Sequence, residues 1–142
     1  MKKVLFGLFI SASMFANNIV VENPYVKITP PNTKNSAIFM KINNNSNEEV
    51  KLIDAKCDYA NTTEIHTHIN EDGMMKMVKI KDIVIPANNS VELKPKSYHI
   101  MLMDIKQSID ENTKVNLELN FSNGEKVELK DIPSKEIMHK HH

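Results

Sequence analysis

The chain has 142 residues, 18 basic and 18 acidic, with one cysteine, nine methionines, six histidines and no tryptophan. That length supports one compact domain around a single core. Every basic residue is lysine, so the planar bidentate grip of arginine on phosphate or carboxylate is missing, and the balanced charge gives no nucleic-acid footprint.

The opening stretch, MKKVLFGLFISASMFANN, sets Lys2 and Lys3 before an apolar run from Val4 to Ile10, then small and polar residues up to Ala16. This is the order of parts in a secretory signal peptide, and the run is too short to span a bilayer. Residues 1–16 are therefore expected to be a leader cut after Ala16, with Ser13 as the alternative. No cysteine adjoins the cut, which argues against a lipid anchor. Removing the leader leaves 16 basic residues against 18 acidic. No later segment reaches membrane-spanning length, so the mature chain is expected in the periplasm without a membrane span.

From residue 17 onward the chain reads as short strands. Ile38, Met40 and Ile42 alternate with other residues before the asparagine-rich turn NNNSN at 43–47, as half-buried strands do. LIDAKCDYA follows, and its lone Cys57 is expected to be a buried small hydrophobe. TTEIHTHIN comes next, placing His66 and His68 on one face and Ile65 and Ile69 on the other. Asp72 and Gly73 then supply a turn into MMKMVKI. After PANN at 86–89 comes YHIMLMD, in which alternation sends Tyr98, Ile100 and Leu102 to the core and His99, Met101 and Met103 to the opposite face. TKVNLELNF and EKVELKDI, joined by Ser122, Asn123 and Gly124, form the clearest hairpin. Seven or more short strands at close spacing predict an all-β antiparallel sandwich or barrel. Past Pro133, residues 134–142 read as a flexible tail ending in MHKHH, where Met138, His139, His141 and His142 make a compositional metal-binding tract.

Met74, Met75, Met77, Met101 and Met103 crowd the two histidine-bearing stretches. Methionine is adaptable core filler, and an isolated histidine is ordinarily a satisfied one, so either stretch alone is compatible with plain packing. Thioether sulfur with imidazole, however, suits soft Cu(I) in a compartment where thiolates oxidise. The same histidines with Glu64 would suit zinc, which leaves the methionines unexplained. Histidines must be neutral to bind, so affinity is expected to weaken below their ordinary pKa of about 6.5. No nucleophile with an evident base and no phosphate-cradling glycine loop is present, so no enzymatic activity is expected.

His66, Met77, His99 and Met101 fit the spacing H-x10-M-x21-H-x-M, which resembles the pattern of the PCu(A)C family of periplasmic copper chaperones. PYVKITPPNTKNSAIFMKINNNS, DGMMKMVKI and IPANNSVELKPKSYHIMLMDIK are similar to that family's opening strands, central hairpin and most recognisable stretch. The family often has glycine where Asn88 and Asn89 stand here. The resemblance implies a cupredoxin-like β-sandwich over residues 17–133, binding one Cu(I) near its surface through His66, Met77, His99 and Met101, with His68 as an extra imidazole. It further implies a chaperone passing copper to an apo acceptor, such as a cytochrome c oxidase subunit with a CuA site or a Sco-type protein, and the chain is expected to be a monomer. A copper tolerance or storage protein without a dedicated acceptor is the alternative. The tail is expected to capture Cu(II). A blue-copper electron carrier is disfavoured, because Cys57 has no histidine close behind it.

Overall fold

Alternating apolar residues, punctuated by asparagine and aspartate, become ten β-strands in the computed structural model, which describes residues 18–137. They are β1 (Ile19–Lys27), β2 (Asn35–Asn44), β3 (Val50–Cys57), β4 (Ala60–Glu71), β5 (Met74–Ile80), β6 (Ile83–Ile85), β7 (Asn89–Leu93), β8 (His99–Ile105), β9 (Lys114–Phe121) and β10 (Lys126–Lys135). Among the described residues there is no helix, and so none long and apolar enough to cross a membrane.

One layer runs β5-β4-β8-β2-β1, with β7 alongside β2, and the other runs β10-β9-β3-β6. The architecture is the expected all-β, cupredoxin-like sandwich. All pairings are antiparallel except β1 with β10, which join the layers through Val26 opposite Ser134 and Lys27 opposite Lys135. Each of these two strands carries an irregularity in its pairing, near Asn23 and Asp131, where φ is 51° and 54°. Such bulges bend strands and let them change layer.

The period-2 readings locate the core. Ile38, Met40 and Ile42 of β2 and Val115, Leu117, Leu119 and Phe121 of β9 are all buried between the layers. Cys57 is buried with them and its thiol is pushed up to about 11, chiefly by burial. It is a packed hydrophobe at neutral pH, as expected. Asp72 (φ 54°) and Gly73 (φ 81°) both adopt left-handed geometry between the paired residues Glu71 and Met74. This is the two-residue turn whose twist matches the flanking strands, and it fixes the β4–β5 register. Asn88 takes φ 54° in its own turn, a conformation asparagine tolerates where glycine is the usual choice.

Pro133, the expected end of the copper-binding domain, lies within β10. β10 continues through Lys135, because Ser134 and Lys135 pair with β1 and the Ser134 hydroxyl donates to the Asp110 carbonyl at 2.6 Å. The expected leader, and Met138, His139, His141 and His142, lie outside the described residues.

Candidate metal centre

Strand register assembles the histidines and methionines on the outer face of the β5-β4-β8 edge. His66 of β4 lies directly opposite His99 of β8, and Glu64 lies opposite Met101. On the other side of β4, His68 lies opposite Met77 of β5. Directly opposed residues share a face, so His66, His68, Met77, His99 and Met101 occupy one patch. Their strand neighbours Ile65 and Ile100 are buried in the core behind it.

The patch is better covered than alternation alone suggests. His99 is 4% exposed and His66 8%. Phe39 of β2 is buried and sits beside His99, with ring centroids 6.1 Å apart, and Tyr25 lies against Phe39 at 5.3 Å. These aromatics wall the inner end of the patch, while Met77 at the sheet edge is 44% exposed. Ile69 is exposed rather than packed, and Tyr98 is only partly buried against the core. Ile69 lies near the tip of the β4–β5 hairpin, and Tyr98 precedes the first residue of β8.

Hydrogen bonds set the state of each imidazole. His99 Nδ1 lies 3.0 Å from the Ser97 carbonyl. A carbonyl oxygen only accepts, so Nδ1 carries the proton and Nε2 of the neutral ring carries a lone pair. That Nε2 lies 3.2 Å from Met77 Sδ, and a thioether has no proton to offer. The His99 pKa is lowered, first by burial and then by His66, His68 and Lys27, against an opposing contribution from the Ser97 carbonyl. The neutral ring is favoured, and two electron-pair donors face each other with no proton between them.

His66 shows the complementary arrangement. Its Nε2 donates to Glu64 Oε1 at 2.8 Å, leaving Nδ1 as the free donor atom. Among the described residues that Nδ1 is buried with no hydrogen-bond partner, an expense folded proteins seldom tolerate without a use. The His66 bond, together with Lys79 3.5 Å from Oε2, holds Glu64 below the usual carboxylate range. Metal-ligating histidines ordinarily anchor their other nitrogen on a carboxylate or carbonyl, and Glu64 and Ser97 supply one of each. Glu64 thus orients a ring in this arrangement, where the sequence offered it only as an oxygen ligand for zinc. The Ser97 carbonyl had no sequence signal.

Of the expected ligands, His99 and Met77 meet directly, and the His66 ring lies beside His99 with centroids 5.6 Å apart. Met101 joins them by register, one strand repeat from His99 and diagonal to His66. Met103 lies opposite Thr62, one repeat further away. His68 also reaches the group, 5.5 Å from His99. Among the described residues no three His, Cys, Asp or Glu side chains form a metal cluster of their own.

The lowered His99 pKa has a consequence for the metal-free protein. As pH falls through about 6.5 the unfolded chain takes up the proton before the folded one, so stability is present above that value and lost below it. Denaturation midpoints should therefore fall between about pH 7.5 and about pH 5.5, and His99→Gln should flatten that slope. An unchanged slope in the variant would remove His99 as its source.

A family model described as "Putative lipoprotein LpqE-like" matches residues 19–133. The uncharacterized protein RP573 of Rickettsia prowazekii (strain Madrid E) is 38% identical over 77 residues, 54% of this chain and 42% of that protein. The chain thus matches less than half of that relative's length. Among solved structures, the copper-bound PCuAC domain from PmoF2 is similar with a TM-score of 0.69 at 17% identity, covering 83% of this chain and 93% of that one. The CuI-DR1885 solution structure from Deinococcus radiodurans gives a TM-score of 0.63 at 26% identity, covering 83% and 78%. The resemblance to PCu(A)C domains drawn from the sequence is borne out by these matches.

Proposed function

The chain belongs to the LpqE-like family, and on that footing we propose that it is a Cu(I) chaperone of the cell envelope, holding one ion through His66, Met77, His99 and Met101. The observation that carries this reading is the bare Nε2 of His99, turned toward Met77 Sδ at 3.2 Å by the Ser97 carbonyl. A soft cation between an imidazole nitrogen and a thioether turns that lone-pair opposition into two bonds, and the orphaned Nδ1 of buried His66 supplies a third donor. Two solved structures of similar fold are described as copper-bound and as the CuI form.

The same geometry favours transfer over permanent storage. All four ligands are neutral, and Met77 stands at the exposed sheet edge on the outermost strand. An incoming protein can approach from this edge and replace the ligands one at a time while the others still hold the ion. Delivery to a cytochrome c oxidase assembly pathway, through a CuA-bearing subunit or a Sco-type protein, is the destination implied by the PCu(A)C resemblance. The sequence features of an export leader and the lipoprotein description of the family both favour the envelope. Monomeric action fits a single, self-contained patch.

Anaerobic titration of the purified protein with Cu(I), against a chromophoric chelator, should give one equivalent bound, with both sulfur and nitrogen neighbours in the X-ray absorption spectrum. Failure to compete for copper, or a shell without sulfur, would overturn the reading. Mixing the loaded protein with an apo CuA domain tests the destination by whether the acceptor gains copper.

A further inference from the structure

His68 and Met75 continue the inner patch toward solvent. On the face shared with His66 and His99, His68 lies directly opposite Met77, and Met75 lies one pair further out, opposite Asn70. Exposure rises along this line, from buried His99 and His66 through Met77 to Met75 at 57%. His68 is half-buried at the step between them.

The His68 ring is oriented by the group that orients His99. Its Nδ1 lies 3.5 Å from the Ser97 carbonyl, the oxygen that also accepts from His99 Nδ1. One carbonyl therefore favours the same tautomer in both rings, leaving both Nε2 atoms as electron-pair donors. The turn at Asp72 and Gly73 holds Met75 and Met77 at fixed register on the adjoining strand.

We propose that His68 and Met75, with Met77 shared, form an outer Cu(I) position through which the ion reaches and leaves the inner ligands. The inference rests on the copper-binding reading above. Transfer is ligand exchange with no redox change. Met77 sulfur stays bound while His68 nitrogen replaces His99 nitrogen, Met75 sulfur takes the place vacated by Met101, His66 nitrogen leaves last, and the bonds re-form in reverse order on loading. Two or three soft donors hold the ion throughout, so no step strips it to water.

An intermediate position lowers the barrier in both directions and leaves the end states alone. His68→Gln combined with Met75→Leu should therefore slow Cu(I) uptake and chelator-driven release by about tenfold each, the low end of what supporting groups contribute at metal sites. The equilibrium affinity should move by less than about twofold, because both rates change by the same factor. Stopped-flow mixing of the full chain, loaded anaerobically, with a free chromophoric Cu(I) chelator reads release, and mixing the metal-free chain with the copper-loaded chelator reads uptake. Met75→Leu alone, at an exposed position, should show part of the slowing without any question of folding. Unchanged rates would overturn the outer position. So would faster release with weaker affinity, which would make His68 an ordinary ligand of the inner shell. If the unsubstituted protein takes up no Cu(I), the chaperone reading itself fails; if it binds one equivalent and the rates ignore these substitutions, only the outer position fails.

Discussion

Replacing Met77 or Met101 by leucine is expected to weaken Cu(I) binding by more than about a hundredfold, since even groups that only support a metal ligand are worth 10–100-fold. Leucine matches methionine in volume, and such exchanges cost less than about 1.5 kcal/mol even in a packed core. Met77 is largely at the surface and Met101 half-buried, so the metal-free fold should barely register either change. What disappears is one sulfur donor. The loss should be specific to soft Cu(I), because Cu(II) and zinc are satisfied by imidazole and oxygen. Competition titrations of both variants, with thermal midpoints of the metal-free forms, separate the two effects. Retained Cu(I) affinity in both variants would leave the methionines as packing residues and return the patch to an ordinary sandwich surface.

The sequence made the inner core and the central hairpin legible because local rules govern both. Alternation at Ile38, Met40 and Ile42 is set by the two-residue repeat of the strand, and Asp72–Gly73 selects its turn by backbone sterics alone. The sharing of one face by His99 and Met101 was legible for a related reason, since their offset is one strand repeat. What escaped depends on strands distant in sequence. The burial of His99 on its outward face requires β2 to lie beside β8, bringing Phe39 over the ring; no period within YHIMLMD encodes that neighbour. Ile69 carries the apolar character of a core residue, yet stands exposed where β4 runs into the hairpin. The continuation of β10 to Lys135 is decided by β1, more than a hundred residues earlier. Glu64 was visible as a residue sharing a face with His66. Its use as an orienting partner could be seen only once the second ring nitrogen was found without one.

The largest stability effect is expected directly behind the metal patch. Ile100 lies between His99 and Met101 in sequence but faces the core, fully buried, with Ile65 opposite it on β4 and Ile38 opposite it on β2. These three isoleucines form one row across three strands, held apart by the hydrogen-bonded ladder, so a hole in the row has little room to collapse. Ile100→Ala should therefore cost about 2–5 kcal/mol, and Ile100→Val only about 0.5–1.5 kcal/mol, in denaturant unfolding of the metal-free protein. The same substitution tests whether core and metal patch act together. A ligand that binds only the folded state stabilises it by about 4 kcal/mol at a thousand times its dissociation constant. Excess Cu(I) should thus restore most of the lost midpoint in Ile100→Ala, since the four proposed ligands remain in place. It should restore almost none when Met77→Leu and Met101→Leu are added. Rescue persisting in that triple variant would mean that the stabilising copper binds elsewhere than between β4, β5 and β8.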